Sequence, residues 1–136
     1  MTAGYSGKPL AQKLGIKSAA RIALLHTPEG YDSLLGELPP GVTINNALEE
    51  PCDLIHYFTT ERGQLQEDFE RLKVGLAQNG ALWVSWPKRA SGMVTDLNEN
   101  IVREIGLEHG LVDVKVAAVD EVWSGLKFVR RLKDRT

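Results

Sequence analysis

The sequence lacks most of the features that announce a function. It has a single cysteine, Cys52, so no disulfide can form within the chain, and this is typical of a reducing compartment. No apolar run approaches the roughly 20 residues that a membrane-spanning helix needs, and Met1 to Lys8 lacks the apolar core of a signal peptide. These absences predict a cytoplasmic protein without a membrane segment.

An excess of charge of one sign is also missing. Lysine and arginine number 16 against 18 aspartates and glutamates, which gives a formal net charge of −2. Nucleic acids and anionic membranes are bound through strongly positive faces. The cationic segment Arg130 to Arg135 is interrupted by Asp134 and is interpreted as a solvated end. We therefore expect neither nucleic acid nor a membrane as a partner.

The composition that remains is that of a globular protein, with 43% hydrophobic and 25% charged residues. A chain of 136 residues is long enough to bury a core without a disulfide or a metal. We therefore predict a single α/β domain over residues 1–136.

The order of apolar runs and helical periods predicts the fold class. Continuous apolar runs of strand length are typical of parallel strands covered on both faces. The predicted strands of this kind are Arg21 to His26, Asp53 to Phe58 and Ala81 to Trp86. The predicted helices are one from Pro9 to Leu14 capped by Ser6, Tyr31 to Leu35, one capped by Thr60 and running to about Gln78, and one capped by Thr95 and ending at Gly106 or Gly110.

Two further segments set the topology. The seven residues between the short strand Val42 to Asn45 and the strand at Asp53 are too few for a helical crossover, so the short strand is either antiparallel at an edge or followed by an extended return. We favour the extended return. Leu111 to Val119 and Leu126 to Leu132 are β-prone and are joined by a short turn, which predicts an antiparallel pair. The sequence thus predicts a Rossmann-like, mostly parallel sheet closed by a C-terminal antiparallel hairpin.

Residues 80–87, Gly-Ala-Leu-Trp-Val-Ser-Trp-Pro, stand between two predicted helices ahead of the closing hairpin. This order resembles the C-terminal half of class I methyltransferases, and the resemblance implies a reduced methyltransferase-like topology. The whole chain is also similar to a small bacterial family known only as a domain of unknown function. That similarity rests on residues 5–10 (Tyr-Ser-Gly-Lys-Pro-Leu), 86–92 (Trp-Pro-Lys-Arg-Ala-Ser-Gly), 95–97 (Thr-Asp-Leu) and 119–126 (Val-Asp-Glu-Val-Trp-Ser-Gly-Leu).

The resemblance also directs attention to the cofactor loop. Class I methyltransferases carry a Gly-rich turn after the first strand and an acidic residue at the end of the second. Here the turn is His26-Thr27-Pro28-Glu29-Gly30, in which Pro28 removes a backbone donor, and the second strand ends in Asn45. These departures predict that S-adenosylmethionine is not bound, and we assign no other cofactor.

A ligand site is expected where the parallel strands end, because open α/β sheets bind ligands outside the carboxyl ends of their strands. Lys88 and Arg89 can hold a phosphate or carboxylate, and Trp86 offers an aromatic face. The alternative is a surface loop with two solvated cations. The predicted ligand-binding residues are Thr27, Gly30, Thr59, Trp86, Lys88, Arg89, Ser91 and Gly92.

His26 and Glu29 are the candidates for proton transfer, because an imidazole titrates near neutrality and a carboxylate can orient it. A histidine bonded to a backbone carbonyl is the structural alternative, and no metal-ligand spacing is present. The sequence therefore favours a non-catalytic module that binds a small anionic ligand or a protein partner. The alternatives are a group-transferring enzyme on a reduced scaffold and a homodimerising regulatory module that uses the hairpin.

Overall fold

The computed structural model describes residues 8–45, 47, 48 and 50–136. The strands are β1 Arg21–Leu25, β2 Thr43–Asn45, β3 Cys52–Phe58, β4 Leu76–Pro87, β5 Leu111–Ala118 and β6 Trp123–Arg130. The helices are α1 Leu10–Leu14, α2 Tyr31–Leu35, α3 Arg62–Val74 and α4 Glu99–Glu108, with 3₁₀ turns at Arg89–Ser91 and Leu132–Asp134.

The strands form one mixed sheet in the order β2-β1-β3-β4-β6-β5. Strands β2, β1, β3 and β4 are parallel, and β6 is antiparallel to both β4 and β5. The predicted fold class is therefore confirmed. Because Arg21 pairs with Thr43 in parallel, β2 is a parallel strand, which agrees with the alternative that the sequence analysis favoured over an antiparallel edge strand.

The two faces of the sheet bury separate apolar clusters. The face under α3 and α4 includes Trp86, Leu72 and Phe128, and the face under α1 and α2 includes Trp83 and Trp123. Trp83 and Trp86 thus lie on opposite faces, as their spacing of three along one strand predicts.

Helix α1 is fixed to its face of the sheet by a side-chain hydrogen bond. The indole Nε1 of Trp83 donates to the carbonyl oxygen of Leu14 at 3.1 Å. Gly15 follows with φ 82°, a left-handed conformation that a residue without a β-carbon adopts without strain. The predicted end of α1 is therefore confirmed, whereas the predicted cap Ser6 lies outside the described residues.

The prediction for the end of α3 is wrong. The helix ends at Val74, and Leu76 is already the first residue of β4, where it pairs with Cys52 of β3. The amide of Cys52 donates to the carbonyl oxygen of Gly75 at 2.8 Å. The Gly75 carbonyl is therefore bonded to a neighbouring strand, and the helix does not continue past this point. Leu76 fits the helical spacing of the sequence but is buried in the sheet.

Two predicted caps are also wrong. Helix α3 has Glu61 at its N-cap, without a side-chain bond, so Thr60 does not cap it. Helix α4 is capped by Asn98, whose Oδ1 accepts from the amide of Ile101 at 2.9 Å. Thr95 lies earlier, and its hydroxyl donates to the Thr60 carbonyl oxygen at 2.6 Å. The threonine joins the loop before α4 to the end of β3, a contact that helical spacing does not reveal.

The hairpin turn is tighter than predicted, since β6 begins at Trp123 and not at Leu126. The carboxylate of Asp120 accepts from the amides of Val122 and Trp123 at 2.8 and 2.7 Å, which orders the turn. In β5 the pairing register shifts between Asp113 and Lys115. Such a shift is a bulge, and it bends the edge strand of the sheet.

Within the residues that the structure describes, there is no helix with the length and apolar character needed to cross a bilayer. That residues 1–136 make up one domain stays a prediction.

Candidate functional site

Several loops meet at one edge of the sheet. Strands β1, β3 and β4 are parallel, so their carboxyl ends lie together, and the antiparallel β6 starts at the same edge, where Pro87 pairs with Trp123. We call this edge, formed by residues 26–30, 59–61, 88–92 and 123–125, the carboxyl rim. It is the edge at which α/β sheets of this type bind ligands.

The loop after β4 opens into a cavity of about 550 Å³, which we call the β4 cavity. Trp86 lies at its base with 5% of its surface exposed, Lys88 is half-buried, and Arg89 is exposed. The lining residues are Trp86, Lys88, Arg89, Met93, Thr95, Leu97, Asn98, Glu99 and Ser124. Three of the predicted ligand-binding residues therefore share one cavity, although their binding of a ligand stays a prediction.

A second cavity of about 530 Å³, which we call the α3 cavity, is next to the first along the rim. Thr95 lines both cavities, and the loop that carries it separates them. Asp96 secures this loop to α3, because its carboxylate accepts from the amide of Arg62 at 2.7 Å. The loop is therefore held at two points, Thr95 on Thr60 and Asp96 on Arg62, so both cavities have an anchored wall.

Ser91 and Gly92 shape the β4 loop but do not line its cavity. The hydroxyl of Ser91 donates to the Lys88 carbonyl oxygen at 2.7 Å and accepts from the Met93 amide at 3.2 Å. Gly92 follows the 3₁₀ turn that these bonds close. Both residues position Lys88 and Arg89 through the backbone, and direct contact of either with a ligand remains a prediction.

The other predicted ligand residues also lie outside the two cavities. Thr59 is buried, and its hydroxyl oxygen accepts from the Glu61 amide at 3.1 Å and donates to the side-chain oxygen of Gln64. Thr27 is exposed, and Gly30 precedes α2. Thr59 thus connects β3 to the start of α3, which is a structural role.

His26 lies at the point where β1 and β3 both end. Its Nδ1 is 3.2 Å from the carbonyl oxygen of Phe58, and its ring packs against that of Tyr57 with centroids 5.1 Å apart. Because a carbonyl only accepts, Nδ1 carries the hydrogen and Nε2 carries the lone pair in the neutral ring. The sequence predicted Glu29 as the orienting group, and the structure gives that role to the Phe58 carbonyl.

His56 is fully buried beneath the rim. Its Nδ1 is 2.8 Å from the hydroxyl of Tyr31, and its Nε2 is 2.7 Å from the hydroxyl of Ser85. Burial lowers the pKa of His56 to about 3, so the ring is neutral near pH 7. Burial also raises the pKa of Tyr31. Both ring nitrogens of His56 are thus hydrogen-bonded within the core.

Cys52 is buried in β3, and His109 lies just past the end of α4. Burial raises the pKa of Cys52, which is opposite to the shift of a reactive thiol. His109 follows α4, and its Nδ1 is 3.0 Å from the carboxylate of Glu70. Across residues 8–45, 47, 48 and 50–136, no three His, Cys, Asp or Glu side chains are grouped in a way that suits a metal ion.

Several cavity residues were not predicted from the sequence. Met93, Thr95, Leu97 and Asn98 come from the loop and the N-cap before α4, and these residue types carry no chemical signal of their own. Ser124 lies near the start of β6, where it pairs with Trp86 of β4. Only their position in the sequence could have predicted the loop residues. The segment between the end of β4 and the start of α4 is short, so its residues lie close to Lys88.

No family model matches the chain, and no curated protein sequence matches it. Solved structures do match. A SAM-dependent methyltransferase from Aquifex aeolicus has 14% sequence identity and a TM-score of 0.67, over 92% of this chain and 89% of that one. Fibrillarin from Aeropyrum pernix has 14% identity and a TM-score of 0.57, over 93% of this chain and 70% of that one. Magnesium protoporphyrin IX methyltransferase from Synechocystis PCC 6803 has 11% identity and a TM-score of 0.57, over 90% and 78%.

These structures contradict the prediction that excluded S-adenosylmethionine. The fibrillarin structure contains natively bound S-adenosyl-L-methionine, and the protoporphyrin methyltransferase structure contains bound SAH. The prediction assumed that a loop without a Gly-rich sequence cannot form the turn that follows the first strand in these enzymes. In the structure His26 has φ 57° and Gly30 has φ 81°, so both adopt the left-handed backbone that a Gly-rich turn permits. Histidine is one of the side chains that tolerate this conformation.

Identities of 10–14% support a shared fold and not a shared activity. The described chain has the Rossmann-like α/β fold found in S-adenosylmethionine-dependent methyltransferases.

Proposed function

We propose that this protein is a binding module for a small anionic ligand, which Lys88 and Arg89 hold in the β4 cavity. The observation that carries the proposal is that both cations line one concave space of about 550 Å³. Ligand pockets commonly measure about 300–1,000 Å³. A guanidinium forms paired hydrogen bonds with a carboxylate or phosphate, and an ammonium adds a compact charge.

The acidic residue of the cavity lining supports this assignment. Glu99 lies 2.6 Å from a guanidinium nitrogen of Arg103, which also bonds Asp113 at 2.9 Å. The two carboxylates raise the pKa of Arg103, so the arginine stays charged and holds Glu99. The charge of Glu99 is therefore partly offset, and the field of Lys88 and Arg89 favours an anion.

The apolar part of the lining suggests the rest of the ligand. Met93 and Leu97 line the same cavity as Trp86. Met adapts its shape to a bound surface, and an indole edge packs against flat rings. The ligand is therefore an anionic group joined to an apolar or ring-containing body.

A thermal-shift screen tests this proposal with S-adenosylmethionine, AMP, coenzyme A and inorganic pyrophosphate as probes. A probe at a hundredfold excess over its Kd stabilises the folded state by about 2.7 kcal/mol. The double variant K88A/R89A should lose the shift while its ligand-free Tm stays close to that of the unchanged protein. The control K17A/K133A removes two exposed lysines elsewhere and should keep the shift. A shift that survives K88A/R89A would remove the site from this cavity.

A protein partner at the same rim is the competing proposal. Val94 is 94% exposed and Met93 is 44% exposed on the loop between the cavities, and exposed apolar side chains of this kind suit a protein surface. If none of the probes raises the Tm, the result contradicts the small-ligand proposal and favours a protein partner. Light scattering after size exclusion then distinguishes a second copy of the chain from a different protein.

S-adenosylmethionine-dependent group transfer is the second candidate function. It is favoured by the left-handed backbone at His26 and Gly30, at the β1 end of the rim. Asn45 is the last residue of β2, the position at which the resembled enzymes have an acidic residue, and its Oδ1 is an acceptor suited to ribose hydroxyls. S-adenosylmethionine, when bound, supplies an electrophilic methyl group. The lone pair of His26 Nε2 is suited to hold a proton from the acceptor.

Titration calorimetry with S-adenosylmethionine separates the two candidates without any turnover assay. The variant Gly30→Val places a branched side chain at φ 81° and should abolish binding, whereas Gly15→Val carries the same backbone strain at φ 82° away from the rim. Binding that is lost in Gly30→Val but kept in K88A/R89A supports group transfer at the β1 end. Binding with the opposite dependence places S-adenosylmethionine in the β4 cavity.

A further inference from the structure

Trp83 and Trp86 of β4 differ in how their indole N–H groups are used. The Trp83 Nε1 donates to the Leu14 carbonyl oxygen at 3.1 Å, inside the protein. The Trp86 Nε1 has no hydrogen-bond partner among the described residues, although only 5% of the surface of Trp86 is exposed. An indole nitrogen can only donate, so Trp86 carries a donor that the protein itself does not use.

This donor reaches the β4 cavity. Within the part of the chain that the structure describes, every buried side-chain nitrogen or oxygen atom has a hydrogen-bond partner. The Trp86 Nε1 has none, so it belongs to the small part of Trp86 that stays exposed, and Trp86 lines the β4 cavity. Such a donor is satisfied by water or by a ligand, because burying it without a partner is unfavourable.

Ser124 of β6 carries a second donor of the same kind. It pairs directly with Trp86 across the two strands, so both side chains are on one face of the sheet. Ser124 is half-buried and lines the β4 cavity, and its hydroxyl has no partner among the residues described. The cavity therefore presents two neutral donors together with the cations of Lys88 and Arg89.

These four groups suit a phosphate monoester better than a carboxylate. A phosphate monoester carries close to two negative charges near neutral pH and has three terminal oxygens that accept hydrogen bonds. The two cations match its charge, and the two neutral donors match oxygen lone pairs that the cations leave open. A carboxylate has one charge and two oxygens, and a single guanidinium commonly binds both oxygens.

We propose that the indole N–H of Trp86 and the hydroxyl of Ser124 bind terminal oxygens of a phosphate monoester in the β4 cavity, and thereby select this anion over a carboxylate. This inference rests on the proposed function and narrows its ligand class. The sequence predicted an aromatic face at Trp86, but a side chain so deeply buried has little ring face left for stacking. Its N–H is the group that it offers to a ligand.

Phenyl phosphate and benzoate are the probes, because they share a ring and differ in the anionic group. Titration calorimetry measures Kd at a temperature at which each variant is folded. Trp86→Phe removes the N–H and Ser124→Ala removes the hydroxyl. Each should raise the Kd for phenyl phosphate about ten- to hundredfold, as expected for one lost hydrogen bond to a charged group, and should change the Kd for benzoate much less.

Trp123→Phe is the matched control. Trp123 is also buried, with 8% of its surface exposed, but it lines neither the β4 cavity nor the α3 cavity. Its replacement should leave both Kd values unchanged. A loss of phenyl phosphate binding in Trp123→Phe that equals the loss in Trp86→Phe would overturn the assignment to Trp86.

Nuclear magnetic resonance of the indole hydrogens tests the ligand-free protein directly. The Trp83 indole hydrogen, which is bonded to Leu14, should exchange slowly with deuterated water, and that of Trp86 should exchange rapidly. Phenyl phosphate should shift the Trp86 signal and slow its exchange without affecting Trp83. If the Trp86 indole hydrogen is as protected as that of Trp83 before any ligand is added, the inference is overturned.

The outcomes distinguish this inference from the proposed function. If Trp86→Phe and Ser124→Ala bind phenyl phosphate as tightly as the unchanged protein while K88A/R89A does not, the inference is overturned and the proposed function stands. Benzoate that binds at least as tightly as phenyl phosphate would overturn the selection of a phosphate. If phenyl phosphate does not bind, the inference falls, and the proposed function falls with it only when no probe of the thermal-shift screen binds.

Discussion

Gly106 of α4 lies directly against the ring of Phe128 in β6, so that a β-carbon at Gly106 would be 2.1 Å from the Phe128 Cε1. Phe128 is fully buried and makes an edge-to-face contact with Phe69 of α3, with centroids 5.7 Å apart. The ring therefore has no room to move away. A glycine in the last turn of α4 lets the helix approach the sheet at this point.

We predict that Gly106→Ala destabilises the protein although alanine is the better helix former. Overpacking of a buried contact costs about 1–3 kcal/mol, which outweighs the roughly 1 kcal/mol gained in helix propensity. Urea denaturation measures the change. Gly63→Ala in α3 is the matched control, because a β-carbon there meets no atom within 4 Å. It should be neutral or stabilising, and equal effects at both positions would contradict the packing argument.

A second prediction concerns the pH dependence of stability. His56 has a pKa of about 3 in the folded state against about 6.5 when unfolded. Between these values the unfolded chain binds a proton that the folded protein does not, so stability is full above pH 6.5 and falls with pH through this window. The slope from this residue is about 1.4 kcal/mol per pH unit.

The measurement is urea denaturation of the unchanged protein and of His56→Gln from pH 7 to pH 5. His56→Gln lacks the titrating ring and should show a shallower loss of stability as the pH falls. Only the slopes are compared, so a lower absolute stability of the variant does not affect the result. Parallel slopes would show that His56 does not titrate as its burial requires.

Arg130 provides a third prediction. This arginine is 9% exposed, and its guanidinium donates to the carbonyl oxygens of Lys73, Leu76 and Ala77 at 2.7–2.9 Å. It therefore satisfies the backbone where α3 changes into β4. Arg130→Met should cost about 2–4 kcal/mol, because buried carbonyls lose their donors. The neighbouring Arg131→Met should change the unfolding free energy by less than about 0.5 kcal/mol, and similar losses at both sites would contradict the assignment.

The N-cap of α4 gives a fourth prediction. Asn98→Ala removes the acceptor for the Ile101 amide and should cost about 1 kcal/mol. Because Asn98 also lines the β4 cavity, the same variant reports whether loosening this wall weakens ligand binding. The exposed Asn79→Ala is the control for stability. A thermal melt that is the same for both variants would show that the cap contributes little.

The parts of the fold that were predictable are those whose signal is local. The continuous apolar runs at Arg21, Asp53 and Ala81 were enough to predict parallel strands covered on both faces, whereas the short connection before β3 left the direction of β2 open. The end of α3 was not predictable, because Leu76 continues the helical spacing of Leu72. Its true place depends on Cys52 and Arg130, which are distant in sequence.

Some residues of the candidate site were also predictable from the sequence, and others were not. Lys88 and Arg89 follow an apolar strand, so topology alone predicted their edge of the sheet. Met93 and Leu97 gave no such signal, because their side chains carry no distinctive chemistry and their place in the cavity depends on how the loop before α4 folds. The left-handed backbone of His26 was hidden for a related reason, since the sequence shows which residues are glycine but not which other residues adopt the same conformation.

The bulge between Asp113 and Lys115 has a consequence for the behaviour of the protein at high concentration. An edge strand with a straight ladder is a template on which further chains assemble. In β5 that ladder is interrupted, and Lys115 carries a charge at the interruption, while β2 at the opposite edge is only three residues long. We therefore expect the folded protein to resist strand-to-strand aggregation. The exposed apolar side chains of Val114 and Val116 in β5 should then not promote assembly.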